Sequence, residues 1–95
     1  MGMQHTLTIE PITDTIHHVT VEGANGSMTE HRVSVPEEYA RALGVDPADP
    51  EAVRSLLERS FAFLLEREAK ESILREFALP VIERYFPEYP QEIER

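Results

Sequence analysis

Between Asp49 and Glu68 the chain reads DPEAVRSLLERSFAFLLERE, with no glycine and no proline after Pro50. Asp49 suits the cap of a helix and Pro50 its first turn, where a missing N–H costs nothing, so this stretch predicts one long helix. At about 100° per residue, Val53, Leu56, Leu57, Ser60, Phe61, Phe63, Leu64 and Leu65 fall on one arc of roughly 200°. A surface helix lying on a single partner needs an apolar stripe little wider than about 100°. This helix therefore requires cover from two sides, one of them its own sheet. The other is expected to be a second copy of the chain, in a symmetric homodimer where Leu57, Phe61, Leu64 and Leu65 meet their twins.

The sheet is expected upstream. Residues 6–10 (TLTIE) alternate polar and apolar, the period of a half-buried strand, and IHHVTVE (16–22) and TEHRVSV (29–35) repeat it. Asn25-Gly26 marks a hairpin between the last two. A loop of Asn25, Gly26 and Ser27 places Val19 opposite Val33, His17 opposite Val35 and Val21 opposite His31, with the valine pairs facing the core. The other face carries His18, Thr20 and Glu22 against Ser34, Arg32 and Glu30, a polar set suited to water. Pro36 ends the meander and opens a short helix, EEYARALG, which Gly44 closes in the left-handed conformation with Val45 packing back on the turn.

Past Glu68 the apolar phase changes, since Ile73, Leu74 and Phe77 lie on another side of the wheel. A break near 69–72 is expected, then a helical turn or two over 72–77. A last docking helix follows Pro80, with Val81, Ile82, Tyr85 and Phe86 as its ridges and Pro87 as its stop. The tail PEYPQEIER is acidic and loosely held unless Tyr89 and Ile93 dock. The expected architecture is α+β: a three-stranded antiparallel meander packed on one long helix with short flanking helices. It forms a single domain over 1–95, divided into a β-meander (1–35), a helical part (36–86) and an acidic tail (87–95).

The net charge of −9 weighs on function more than any motif, because nucleic-acid affinity depends on Lys and Arg neutralising phosphates. The excess is even, about −3 in each of 1–35, 36–50 and 51–95, so no basic arm or acidic tail is segregated. Absence of cysteine leaves no disulfide or thiolate metal site. The N-terminus lacks a signal-like pattern and no apolar run approaches the roughly 20 residues of a membrane span, which reads as a cytoplasmic protein without membrane contact.

His5, His17, His18 and His31 invite a metal reading, but the expected register separates His17 from His31 by four strand positions, about 13 Å, whereas imidazole ligands sit ~2 Å from a metal. His17 and His18 point to opposite faces. No metal or cofactor is expected. Ser60 lies inside the apolar arc and reads as a small residue for close packing, GANGS as a turn rather than a phosphate loop, and Glu37-Glu38 and Glu66/Glu68 as solvated carboxylates. The residues thus point to a non-enzymatic, self-associating interaction or regulatory domain with a protein partner. Were the chain monomeric, a groove beside the long helix would be the place to look for a peptide ligand.

Two resemblances add to this. Residues 33–68, VSVPEEYARALG followed by EAVRSLLERSFAFLLERE, resemble a ribbon-helix-helix module. That resemblance implies a DNA-binding regulator or antitoxin, with the strand paired to its twin and Arg32 and Ser34 among the side chains entering the major groove. The C-terminal run Phe77, Leu79, Ile82, Tyr85, Phe86, Pro87 and Tyr89 resembles the F-x-L-x-x-I-x-x-Y-F-P-x-Y ending of a group of small bacterial proteins, a likeness that implies no particular activity.

Overall fold

The computed structural model describes residues 5–93. A four-stranded mixed sheet in the order β1-β2-β3-β4 packs on one long helix, with short helices around it. β1 (Thr6–Pro11), β2 (Ile16–Glu22) and β3 (Met28–Ser34) follow each other antiparallel, and β4 (Glu76–Ala78) joins β3 in parallel. The helices are α1 (Glu37–Ala42), α2 (Pro50–Leu65), α3 (Pro80–Tyr85) and α4 (Tyr89–Glu92), with a single 3₁₀ turn at Lys70–Ser72.

The β2–β3 register differs from expectation by two positions: Val19 faces His31, Val21 faces Thr29 and His17 faces Val33. The loop is Ala24-Asn25-Gly26, because Gly26 takes the positive φ of 88° while Gly23 N–H reaches the Ser27 carbonyl at 2.8 Å. This is the three-residue hairpin ending in a left-handed glycine, one residue earlier than read from the sequence. A slip of two leaves every side chain on its face, so Val19, Val21, His31 and Val33 still enter the core and the polar set still faces out.

Local signals hold where they are short-range. Asp49 caps α2 by accepting from the N–H groups of Glu51 (3.1 Å) and Ala52 (3.4 Å). Gly44, at φ 80°, ends α1 in the two-bond motif of a left-handed terminus, Gly44 N–H to Arg41 O and Val45 N–H to Ala40 O.

The stretch after α2 corrects the expectation of a helical turn over 72–77. There the chain leaves helix and forms β4 at Glu76–Ala78, with Arg32 N–H donating to the Arg75 carbonyl at 2.7 Å and Leu79 N–H to the Ser34 carbonyl at 3.0 Å. The spacing of Ile73, Leu74 and Phe77 fits a helix, but a bare edge of β3 inside the fold leaves amides and carbonyls unpaired, and the extended segment satisfies them. The three-stranded meander of the sequence reading thus carries a fourth strand.

The apolar arc of α2 is divided between two covers. Phe61 looks to the sheet, its ring 5.5 Å from His31 and 6.2 Å from Phe77. Phe63 looks to the C-terminal helices, 5.7 Å from Phe86 and 5.3 Å from Tyr89. Tyr89 is fully buried and Ile93 nearly so, so the tail docks. The Ser60 hydroxyl donates to the Leu56 carbonyl (2.7 Å), so Tyr89 must donate its own proton to Ser60 Oγ at 2.6 Å. Burial pushes the Tyr89 phenol up to about 12. Arg59 donates to the Ile93 carbonyl, and Arg67 lies 3.7 Å over the Phe63 ring while pairing with Glu88 at 3.6 Å.

Candidate functional site

The chain leaves α2 at Leu65, bends, and is pinned to the sheet by two polar tethers before reaching β4. Lys70, nearly buried, donates from Nζ to Ser27 Oγ at 2.6 Å and to Glu71 Oε2 at 2.9 Å, and so ties the 3₁₀ turn to the β2–β3 hairpin. His31 holds the next residues. Its Nδ1 lies 2.8 Å from the Leu74 carbonyl, which can only accept, so Nδ1 carries the proton and the neutral ring's Nε2 accepts from the Thr29 hydroxyl at 2.8 Å. With its carbonyl drawn inward, Leu74 keeps a side chain that is 48% exposed.

Because 72–77 are held to the sheet and α3 returns over the end of α2, a groove of about 290 Å³ opens between them, lined by Leu64, Ile73, Leu74, Val81, Tyr85 and Phe86. Tyr85, 68% exposed, stands with Leu74 as its apolar rim. Glu68 and Ser72 are the polar members of the wall besides the Tyr85 hydroxyl. Glu68 is half-buried and makes no ion pair among the described residues, and its desolvation holds the carboxyl above the usual range. The groove can therefore take apolar side chains and one positively charged group.

Of the proposed dimer residues, Leu64 lines this groove and Leu57, Phe61 and Leu65 do not. Leu57 and Phe61 are 0% exposed and Leu64 is 3% exposed within one chain, and Leu65 is half-buried. The second cover that the arc of α2 demands is α3 and α4 of the same chain, so that arc is not a free self-association face. Arg32 and Ser34 occupy the outer sheet face on a strand flanked on both sides, since β3 pairs with β2 and, along these residues, with β4. A ribbon shared with a twin strand would need one of those edges open. Arg32 also stands in a cross-strand row with a carboxylate at each end, with Glu10 opposite His18, His18 opposite Arg32 and Arg32 opposite Glu76. Its positive field is compensated by neighbours rather than gathered into a patch.

His17 and His31 are two strand positions apart, not four, and both lie in the core layer. Burial lowers the pKa of each. His18 faces out, its Nε2 3.3 Å from Glu30. Among the described residues, no group of three or more His, Asp or Glu side chains is placed to hold a metal ion. Glu68, read from the sequence as solvated, and Lys70 belong to the groove and its tether. No periodicity could mark either, because Lys70 is set by a contact with Ser27 more than forty residues away, and Glu68 by a groove that forms only once 72–77 and α3 are folded back beside it.

No protein-family model, curated protein or solved structure matches the chain.

Proposed function

We propose that this protein is a non-enzymatic interaction domain that holds an apolar segment of another protein in the groove between residues 72–77 and α3. The observation that carries the reading is the exposure of Leu74 and Tyr85 on either side of an apolar trough, in a chain that has otherwise buried the wide arc of its central helix. Hydrophobic grooves of this kind receive the apolar face of a bound peptide. Two of the potential nucleophiles and bases, Ser60 and His31, support a non-catalytic role. Ser60 is fully buried against Tyr89, and His31 is fixed between Thr29 and Leu74. Neither lines the groove.

A displayed random-peptide library, selected on the intact protein, tests this. Selected peptides should lose binding when Leu74 or Tyr85 is replaced by Asp, substitutions at exposed positions that leave the unfolding midpoint nearly unchanged. Peptides whose affinity ignores both substitutions would place the working surface elsewhere.

A further inference from the structure

Resting on that reading, we infer that the groove selects a cationic apolar segment, with a Lys or Arg of the partner seated against Glu68. Glu68 lies between two cations in sequence, Arg67 and Lys70, and both are committed to other work. Arg67 stacks on Phe63, donates to the Phe63 carbonyl at 3.0 Å and pairs with Glu66 and Glu88. Lys70 is turned to Ser27 and Glu71. Glu68 remains partly withdrawn from water without a counter-charge among the described residues. Its raised pKa has desolvation as its cause, with no offset from a neighbouring cation.

A carboxylate in that state gains most from a charge-assisted hydrogen bond. Lysine and arginine also suit the trough because their methylene stems lie along apolar walls while the head reaches the charge. A neutral apolar segment would bury the carboxylate further without compensation. A second copy of this chain docked groove to groove would bring two Glu68 carboxylates into one cleft, on molecules that each carry a net charge of −9. Charge thus favours a basic partner over self-association.

The test selects the same random-peptide library in parallel on the wild-type protein and on Glu68→Gln. Wild type should return apolar peptides with a fixed Lys or Arg, and replacing that residue by norleucine should weaken binding about tenfold or more. Glu68→Gln should fold with an undiminished unfolding midpoint, and its peptides should remain apolar but lose the basic position. Groove-dependent peptides with no basic residue, or an equal basic preference on Glu68→Gln, would overturn the assignment to Glu68 while leaving the groove in place. Failure to obtain any binder that depends on Leu74 and Tyr85 would overturn both readings. A doubling of the molar mass that Leu74→Asp abolishes would make the occupant a second copy and equally overturn the inference.

Discussion

His17 and His31 show how a single buried group ties acidity to stability. Both imidazoles are held below their ordinary pKa by burial, so the folded chain keeps them neutral where the unfolded chain binds a proton. For His31 the backbone carbonyl of Leu74 offsets part of this, while Arg75 and His18 add to it. Because the folded pKa is the lower one, the unfolded state takes up more protons as pH drops below about 6.5, and the stabilisation present above that pH is lost. The urea midpoint should hold from pH 8 to about 7 and fall toward pH 5. Replacing His31 should remove part of that slope as well as lowering the plateau, because it leaves the Thr29 hydroxyl and the Leu74 carbonyl without partners. A midpoint flat across the range would mean that neither ring is kept neutral by the fold.

At the scale of elements, α2 is the decisive case. Its existence, its cap at Asp49 and its wide apolar arc are legible in the sequence, because they depend on residues within a few positions of each other. What covers the outer half of the arc is not legible. Tyr89 and Ile93 lie in a proline-punctuated acidic tail whose order comes from the Tyr89–Ser60 and Arg59–Ile93 hydrogen bonds across about thirty residues. The same limit hid β4, a segment with helical spacing that is extended only because β3 offers an edge. The groove follows from both, so the candidate site was far less legible than the core. The tail therefore stands where a partner was expected, which makes a truncation informative. Ending the chain after Phe86 should cost about 3–6 kcal/mol through the lost burial of Tyr89 and Ile93, and should uncover Phe63. The shortened chain should bind a hydrophobic dye and gain mass with concentration by light scattering. If it stays monomeric with an unchanged midpoint, α4 is not the second cover of α2.

For the whole molecule, burial and charge point the same way. The apolar arc of α2, expected to join two copies, is mostly spent inside one chain, and a net charge of −9 makes two copies repel. The same charge acts against nucleic acid. Arg32, the residue through which DNA contact would run, stands between His18 and Glu76, and the outer face also carries Glu10, Glu22 and Glu30. Counterion release needs several phosphates neutralised at once, and among the described residues this face supplies no cluster of cations to do it. Sedimentation equilibrium in low salt should return a mass near the 10.9 kDa of one chain, and random duplex DNA should not alter it. Raising the salt separates the two causes, because charge repulsion is screened within about 10 Å at 0.1 M while burial is not. A monomer at every ionic strength assigns the behaviour to the internal cover of α2. A dimer that appears only in high salt assigns it to repulsion, and a dimer already present in low salt would mean that another apolar surface, with Leu74 and Tyr85 the first to test, joins two copies of this chain.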